Sequence, residues 1–454
     1  MTGKYFGTDG FRGCAGDSIT SVHAFKVGRF LGWYYTAKGG RCRVVIGKDT
    51  RLSSYTLEYA LAAGVTASGG DAYIMHVTTT PSVSFVTRCE GFDCGVMISA
   101  SHNSFGDNGI KLINSRGEKM ERGVLNLIED YIDGKLFIGG EPFSVPFARG
   151  DKIGRTVDYV AGRNRYTGHL ISLSTCSYKG VKVGLDCANG SGYKIARSVF
   201  DALGATVYAI GDNPNGINVN DGCGSTSPQA LARAVKENAL DVGFAFDGDA
   251  DRCICVDERG KIVDGDGILY IAAKFLKEKG ELLGDRIVAT VMSNGGLKES
   301  LAAEGIAVEE CAVGDSFVYA KMCESGAVLG GEQSGHVIFG KLENTGDGLV
   351  TAIMIMEAMV ERGKTLSELL QGFYKKPQLT VNVRVRDKVA AVKSAAAVAA
   401  VERAEKELGA RGRLIVRPSG TEEVVRITVE APEQEECGRI CRELENALLS
   451  GEGE

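Results

Sequence analysis

The sequence predicts an α/β protein with three similar α/β domains, followed by a smaller C-terminal α+β domain. Its 454 residues are too many for one ordinary domain, since domains most often hold about 100–150 residues. Strand-like and helix-like segments alternate along the chain, which is typical of α/β architecture. A pattern of strand, helix, strand and further strand recurs three times before it breaks near residue 373.

Each of the three repeats begins with a buried strand and ends with a strand that leads into a polar loop. The first strands are predicted at 43–47, 181–185 and 286–291. Helices such as 54–67 and 192–203 lead to second strands at 70–74, 204–208 and 305–308. The last strands, at 94–98, 241–246 and 327–329, run into the sequences SASHN, DGDADR and GEQSGH. Because open sheets bind ligands beyond the carboxyl ends of their strands, we expect these loops to converge.

The C-terminal part follows another pattern. Apolar and polar residues alternate over 378–386, which indicates a half-solvated strand. We predict an alanine-rich helix over 389–408, strands at 413–416 and 424–429, and a final helix ending near 449. The predicted domains are 1–153, 154–254, 255–372 and 373–454.

Composition narrows the functional class. The net charge of −6 argues against a general nucleic-acid-binding protein. Scattered cysteines without a C-x-x-C pair suit reduced thiols, and the first residues, MTGKYFGTDG, resemble no targeting peptide. The longest apolar stretch, 348–360, contains Glu357 and is too short to span a membrane. We therefore expect a cytoplasmic protein with no membrane or nucleic-acid partner.

The SASHN loop places Ser101 beside His102 and continues to Lys111. A serine in such a turn can simply cap a helix. A Ser–His pair also suggests a hydrolase nucleophile, but adjacent residues of an extended chain point in opposite directions and no G-x-S-x-G elbow is present.

The DGDADR loop places Asp247, Asp249 and Asp251 at alternate positions after an apolar strand. Three carboxylates so close together repel one another unless a cation neutralises them, and ligands that are all oxygen favour Mg²⁺. An EF-hand is excluded because Arg252 occupies the position that needs glycine and the flanks are strand-like. An acidic surface turn is the alternative.

Further polar loops supply hydroxyl, imidazole and guanidinium groups. Histidine suits proton transfer near neutral pH, although His336 can also be a satisfied core histidine. The RPSGTE turn offers donors for a phosphate, with a solvated surface turn as the alternative. These loops contribute Glu332, Ser334 and His336 from GEQSGH, Arg12 from FGTDGFRG, and Arg417, Ser419, Gly420 and Thr421 from RPSGTE.

FGTDGFRG, SASHN with NGIK, DGDADR, GEQSGH and RPSGTE occur in the same order as in the α-D-phosphohexomutase superfamily, which the whole chain resembles. The initial FGTDG, the segment INVNDGCGSTSP at 217–228 and GEQSGH are most similar to the bacterial phosphoglucosamine mutases. The resemblance implies three similar mixed-sheet α/β domains and a smaller C-terminal α+β domain around a central cleft. It also implies interconversion of glucosamine 6-phosphate and glucosamine 1-phosphate, on the route to UDP-N-acetylglucosamine.

The resemblance further implies roles for individual residues. By this resemblance Ser101 would be the phosphorylated serine and would hold one Mg²⁺ per chain together with Asp247, Asp249 and Asp251. Lys111 and His336 are candidates for the general acid and base. The charge at the site is stabilised by Arg12, His102 and Arg252. The sugar hydroxyls are held by Glu332 and Ser334. The non-reacting phosphate is held by Arg417, Ser419, Gly420 and Thr421. Glucosamine or glucose 1,6-bisphosphate is the expected activator.

The chain departs from the family pattern at several positions, and other functions stay open. Ser104, Ser316 and Glu423 replace a usual proline, arginine and proline, and Ser316 removes a cation from the third domain. The alternatives are a phosphomannomutase or phosphoglucomutase, a sugar phosphatase that uses an aspartate of DGDADR, and a sugar-phosphate-binding protein without turnover. The expected partner is a small hexosamine phosphate, and the chain is either a monomer or a homodimer.

Overall fold

The structure is a computed structural model that describes residues 3–419 and 424–450. The chain folds into two compact units. The first unit comprises Met1–Met292 and Ile306–Gln371, and the second comprises Ser293–Gly305 and Gly372–Glu454. None of the described helices is long and apolar enough to cross a bilayer, and within the described residues the cysteines form no disulfide.

The first sheet has the strand order β1-β2-β6-β5-β3-β4-β9, and β7 pairs with β8 in a separate hairpin. The elements are β1 Phe6–Gly7, β2 Gly10–Cys14, α1 Ser21–Thr36, β3 Arg43–Lys48, α2 Leu52–Ala67, β4 Asp71–Val77, α3 Thr80–Cys89, β5 Cys94–Ile98, β6 Asp107–Asn114, α4 Arg122–Ile132, β7 Phe137–Ile138, β8 Glu141–Pro142 and β9 Thr156–Asp158.

The second sheet has the order β11-β10-β12-β13-β14. Its segment contains α5 Val160–Leu173, β10 Lys182–Asp186, α6 Tyr193–Ala202, β11 Thr206–Ile210, α7 Gln229–Glu237, β12 Val242–Phe246, β13 Cys253–Asp257 and β14 Ile262–Val263. The third sheet has the order β16-β15-β17-β18. Its segment contains α8 Gly265–Glu278, β15 Arg286–Thr290, α9 Gly295–Ala303, β16 Ala307–Cys311, α10 Asp315–Ser325, β17 Leu329–Gly331, β18 Val337–Phe339, α11 Gly348–Arg362 and α12 Leu366–Leu369.

The second unit has an antiparallel sheet of order β19-β21-β20, and α9 is grouped with it. Its elements are β19 Gln378–Arg384, α13 Lys388–Lys393, α14 Ala395–Leu408, β20 Arg413–Pro418, β21 Val424–Glu430 and α15 Gln434–Ser450. Short 3-10 turns cover Gly150–Lys152, Leu283–Asp285 and Gly409–Arg411.

The predicted internal repeat is confirmed by the pairing of the strands. Strands β4-β3-β5-β6, β11-β10-β12-β13 and β16-β15-β17-β18 have the same order. In each set the first strand along the chain pairs in parallel with its two neighbours, and the last strand is antiparallel. Each polar loop therefore connects a parallel strand to the antiparallel strand beside it. We call these connections the serine loop (99–106), the aspartate loop (247–252) and the histidine loop (332–336).

One predicted element was wrong, because the helix expected over 389–408 is two helices. The chain leaves α13 and begins α14 at Ser394, whose extended backbone interrupts the helical path. The Ser394 hydroxyl accepts the Ala397 N–H at 3.2 Å and so caps α14. The domain boundaries stay predictions. Strand β9 lies beyond the proposed boundary at 153, and β13 spans the one at 254.

Helices α1 and α2 pack closely in the first unit because glycines lie at their contact. A Cβ at Gly64 of α2 would overlap the carbonyl oxygen of Phe25 on α1, and one at Gly28 would overlap that of Leu61. The missing side chains let the two backbones approach directly.

Gly64→Ala is expected to lower the free energy of unfolding by about 1–3 kcal/mol, because the added methyl group overpacks this contact. Urea or thermal unfolding measures the change. The matched control is Gly123→Ala on α4, where a Cβ meets nothing within 4 Å. Alanine there gains helix propensity of up to about 1 kcal/mol, so equal destabilisation of both variants would contradict the close packing.

A buried polar cluster joins α3, α5 and the segment before α11. Tyr166 OH donates to Asp347 Oδ2 at 2.7 Å, and Glu343 contacts Arg88 at 3.1 Å and His169 at 3.0 Å. Asp347 also caps α11 by accepting the N–H groups of the first turn. Burial and the charge of Glu343 raise the pKa of Asp347 to about 7, against the opposing effect of these hydrogen bonds.

A carboxyl group whose pKa rises on folding destabilises the folded state as pH increases from its unfolded pKa to its folded one. The melting temperature of Asp347→Asn relative to wild type should therefore rise between pH 5 and pH 8. The control is Asp387→Asn. Asp387 caps α13 in the same way, by accepting the N–H groups of the second and third residues after it, and these hydrogen bonds lower its pKa. The difference in melting temperature between Asp387→Asn and wild type should stay constant from pH 5 to pH 8. A flat profile for Asp347→Asn would contradict the burial argument.

Candidate active site

The three polar loops converge in the first unit, as their positions in the repeat predict. The serine and aspartate loops meet directly, because Ser101 Oγ donates to Asp247 Oδ2 at 2.5 Å. A Cβ at Gly248 would overlap the carbonyl oxygen of Ser101, so glycine is required at this contact. The histidine loop reaches the same region, because the Cys253 N–H, directly after the aspartate loop, donates to the Gly335 carbonyl at 3.0 Å.

Ser101 is held in a strained backbone conformation from both sides. Its φ of +52° lies in the left-handed region, which a serine adopts only when its surroundings fix it. Its carbonyl oxygen accepts hydrogen bonds from Arg51 Nη2 at 3.2 Å and from Asn220 Nδ2 at 2.9 Å. Both donors also bind the Asn103 carbonyl, at 2.6 and 3.0 Å. Ser101 therefore caps no helix, and its hydroxyl is aimed at the aspartate loop.

The aspartates of the second loop form a buried cluster rather than a surface turn. Asp247 and Asp249 are 0% exposed and Asp251 is 6% exposed, and one oxygen of each lies within 4.8 Å of the others. Burial, with the charges of Asp251 and Asp249, raises the pKa of Asp247 well above its usual value. Asp249 Oδ1 and Asp251 Oδ1 have no hydrogen-bond partner among the described residues. These residues fit a hard divalent cation, which would neutralise the cluster and occupy those oxygens.

Part of the cluster's charge is balanced by cross-repeat contacts from the first sheet and α3. Lys111 Nζ on β6 lies 2.8 Å from Asp249 Oδ2, 3.3 Å from Asp251 Oδ2 and 3.3 Å from Asp9 Oδ2. Thr80 Oγ1, at the start of α3, donates to Asp249 Oδ2 at 2.5 Å. Although burial opposes it, the three carboxylates raise the pKa of Lys111 well above its usual value. Lys111 therefore holds its proton in this arrangement.

A second ion-pair chain connects the first and third repeats. Lys119 Nζ lies 3.2 Å from Asp9 Oδ1 and 2.6 Å from Asp315 Oδ2. Asp315 Oδ2 in turn lies 3.8 Å from His336 Nε2. Charges of alternating sign therefore run from Lys111 through Asp9, Lys119 and Asp315 towards the imidazole.

The remaining basic groups surround the serine loop. Arg12 pairs with Asp9 and reaches Asn103 Oδ1 at 3.5 Å. Burial, Arg252 and Arg12 lower the pKa of His102 to about 4, so its imidazole is neutral at pH 7. Arg12 Nε and Arg252 Nε are buried without a hydrogen-bond partner among the described residues. Such guanidinium groups suit an anionic ligand.

The histidine loop presents its three predicted residues differently. His336 is buried, and neither ring nitrogen has a hydrogen-bond partner within the described part of the chain, so it is no satisfied core histidine. Glu332 is half-buried, with Oε1 accepting the Gly314 N–H at 3.1 Å. Ser334 is exposed.

The predicted phosphate-binding turn belongs to the second unit. Arg417 lies on β20, and Ser419 follows it, donating its N–H to the Val424 carbonyl at 2.9 Å. Gly420 and Thr421 lie outside the described residues.

Sequence reasoning missed several residues of this site. Asp9 and Asn220 lie inside two motifs whose other residues carried the prediction, namely FGTDGFRG and INVNDGCGSTSP. The others gave no local signal, because only their cross-loop contacts reveal them, and these residues are Arg51, Thr80, Lys119 and Asp315.

Two cavities adjoin the ion-pair chain. One, of 260 Å³, is lined by Asp251, Asp315 and His336 among others, and the other, of 460 Å³, lies against the first residues of the chain and α4. The residues that line both cavities are Asp9, Lys111, Leu112, Lys119 and Ser316. The charged groups therefore face space that a small polar ligand can enter.

Comparison with known families accounts for nearly the whole chain. Sequence models of the phosphoglucomutase/phosphomannomutase α/β/α domains I, II and III match residues 3–138, 164–260 and 264–376. The C-terminal domain model of the same family matches residues 381–447.

Individual proteins resemble the chain over nearly its full length. The phosphoglucosamine mutase of Lachnospira eligens is 55% identical over 450 residues, covering 99% of each chain. That of Lachnoclostridium phytofermentans is 56% identical over 435 residues, covering 96% of each.

Solved structures share the fold. A phosphoglucomutase/phosphomannomutase family protein of Burkholderia thailandensis has a TM-score of 0.79 at 24% identity and covers 99% of this chain and 98% of its own. The Aspergillus fumigatus N-acetylphosphoglucosamine mutase, solved with GlcNAc-6P and magnesium, has a TM-score of 0.68 at 18% identity, covering 98% and 96%. The resemblance read from the motifs is thus confirmed: the chain belongs to the phosphoglucomutase/phosphomannomutase family of α-D-phosphohexomutases and, within it, to the phosphoglucosamine mutases.

Proposed function

We propose that the chain interconverts glucosamine 6-phosphate and glucosamine 1-phosphate through a phosphorylated Ser101 and a 1,6-bisphosphate intermediate. One observation carries the proposal: the Ser101 hydroxyl lies 2.5 Å from a buried aspartate cluster in a chain 55% identical to a phosphoglucosamine mutase. The reaction supplies an intermediate for UDP-N-acetylglucosamine in the cytoplasm.

The proposed cycle exchanges one phosphoryl group for another. The free hydroxyl of the sugar phosphate attacks phosphorus on Ser101 and passes its proton to a base. A new P–O bond forms, the P–Oγ bond breaks, and Ser101 Oγ takes up a proton. The bisphosphate then reorients, and Ser101 Oγ gives up its proton as it attacks the other phosphoryl group. The P–O bond to the sugar breaks, and the sugar oxygen regains a proton. Glucosamine or glucose 1,6-bisphosphate activates the enzyme by phosphorylating Ser101.

Asp247, Asp249, Asp251 and the phosphate on Ser101 would hold one Mg²⁺. The bound ion would withdraw charge from the phosphoryl oxygens and cancel the repulsion between phosphoserine and the aspartates. The buried oxygens of Asp249 and Asp251 without partners among the described residues support this assignment, as does the magnesium named in the Aspergillus structure.

The protein's own groups position the reactants and move protons. Lys111, which carries a proton in the observed ion pairs, is one acid–base candidate. The other is the imidazole of His336, whose ring nitrogens have no hydrogen-bond partner within the described residues. Arg12, His102 and Arg252 surround the phosphoserine, with His102 neutral at pH 7. Their fixed positions supply the orientation on which phosphoryl transfer depends.

Substrate binding is assigned to two further loops. Glu332 and Ser334 bind sugar hydroxyls, and Arg417, Ser419, Gly420 and Thr421 bind the non-reacting phosphate. The domains proposed to carry these sites are 1–153, 154–254, 255–372 and 373–454, in a monomer or homodimer.

A coupled assay with glucosamine 6-phosphate, Mg²⁺ and a trace of sugar 1,6-bisphosphate tests the function. The amino sugar is expected to react faster than mannose or glucose phosphate. Preference for either of the latter would instead support a phosphomannomutase or phosphoglucomutase, and release of inorganic phosphate would indicate a phosphatase.

Ser101→Ala is expected to abolish mutase turnover, because no other described hydroxyl donates to Asp247. Intact-mass and peptide analysis should find phosphate on Ser101 of wild type and none in the variant. Ser104→Ala alters an exposed serine of the same loop and should keep both the phosphorylation and the activity. Full activity in Ser101→Ala would refute the mechanism.

Asp249→Asn is expected to raise the Mg²⁺ concentration for half-maximal activity by about tenfold or more, since a ligand's charge is lost. The rise in melting temperature that Mg²⁺ produces in wild type should shrink in parallel. Asp221→Asn, at an exposed position of the same repeat, is the control and should match wild type. An unchanged Mg²⁺ dependence in Asp249→Asn would show that this cluster does not bind the metal.

A further inference from the structure

The proposed mechanism assigns no role to Asp315, although its carboxylate lies at the site. It begins α10 directly after Gly314, whose φ is +126°, and lines the 260 Å³ cavity together with Lys111, Asp251 and His336. Its side chain is 18% exposed, and the Ser316 N–H donates to Asp315 Oδ1 at 2.8 Å. The carboxylate is thus fixed in position but still open to the cavity.

The partner of Asp315 is the primary ammonium group of Lys119, at 2.6 Å from Oδ2 and 2.7 Å from Oδ1. Lys119 also contacts Asp9 at 3.2 Å, so it keeps one carboxylate if Asp315 is withdrawn. Although burial opposes it, the charge of Lys119 lowers the pKa of Asp315 and keeps it ionised. The structure therefore shows a carboxylate that already binds one R–NH₃⁺ group.

A polar group beside Asp315 also indicates a ligand. His336 is 3% exposed and lines the same cavity. Neither of its ring nitrogens has a hydrogen-bond partner among the described residues, and Asp315 Oδ2 lies 3.8 Å from Nε2. A polar ligand in the cavity would reach both side chains.

Asp315 adjoins the residue assigned to the sugar hydroxyls. The Gly314 N–H donates to Glu332 Oε1 at 3.1 Å, so the turn that carries Asp315 is tied to Glu332. If ring hydroxyls of a hexose bind Glu332, a neighbouring ring substituent would lie beside this turn. Glucosamine 6-phosphate and glucose 6-phosphate differ only at C2, which carries an amino group in one and a hydroxyl in the other.

We propose that Asp315 binds the 2-ammonium group of the amino sugar and so selects glucosamine phosphate over glucose phosphate, with Lys119 holding the carboxylate until substrate replaces it. This inference rests on the proposed function and adds its specificity-determining residue. Binding exchanges one ammonium partner for another, so the carboxylate stays paired. A glucose hydroxyl offers only a neutral hydrogen bond, which is weaker than a charge-assisted one.

Asp315→Asn tests the proposal through the ratio of kcat/KM for glucosamine 6-phosphate to that for glucose 6-phosphate. The ratio is expected to fall by about tenfold or more, because a buried charge pair is lost for the amino sugar alone. Glu118→Gln removes another carboxylate that lines the same cavity and should leave the ratio at the wild-type value. Equal loss on both sugars, or an unchanged ratio, would overturn the proposal, since Asp315 would then serve His336 or the fold.

Lys119→Met gives a second test that does not alter Asp315. Because Asp315 would then lack its competing ammonium, preference for the amino sugar should be kept or increased, and loss of that preference would contradict the proposal. Asp315→Glu retains the charge and should keep more of the preference than Asp315→Asn. Melting temperatures and the phosphate content of Ser101 show that each variant is folded and phosphorylated.

The sugar preference of the wild-type enzyme distinguishes failure of this inference from failure of the function on which it rests. A wild-type enzyme that does not favour glucosamine 6-phosphate would overturn both. A wild-type enzyme that favours it, with a preference that persists in Asp315→Asn, would overturn the role of Asp315 alone.

Discussion

Repulsion among three buried carboxylates is the constraint around which the first unit is organised. Asp247, Asp249 and Asp251 cannot all be ionised in a dry site without nearby positive charge. Lys111 supplies part of that charge from the first repeat, at 2.8 Å from Asp249, and Ser101 donates to Asp247 at 2.5 Å. The charge balance of the second repeat's cluster thus depends on contacts with the first repeat. A divalent cation would complete the neutralisation that Lys111 and Arg252 begin.

The same docking fixes the backbone and the hydroxyl of Ser101. Ser101 keeps its left-handed backbone because Arg51 of the first repeat and Asn220 of the second bind its carbonyl oxygen together. Removing the contact between repeats would release both the backbone strain and the hydroxyl. Position, rather than unusual reactivity of the serine, is what the fold supplies, and positioning is the main requirement of phosphoryl transfer.

Charge of alternating sign extends this arrangement to the third repeat. Lys111, Asp9, Lys119 and Asp315 pair in sequence, at 3.3, 3.2 and 2.6 Å. Each carboxylate in this row of ion pairs has an ammonium neighbour. A ligand with its own ammonium or phosphate group can therefore take the place of one lysine or aspartate without leaving a buried charge unpaired. This row of ion pairs therefore joins the aspartate cluster to the contact between the first and third repeats.

Strand periodicity and the spacing of polar residues are local properties, so the sequence sufficed to predict the repeated α/β architecture, the three convergent loops and the aspartate cluster. It also determined the family, since the motifs keep their order along the chain. It did not determine the break at Ser394, where one side-chain cap decides between one helix and two. Only the tertiary structure showed the roles of Thr80, Asn220, Lys119 and Asp315, because each acts through a contact with a residue more than 100 positions away. Such contacts depend on how the repeats dock, and no local pattern records that.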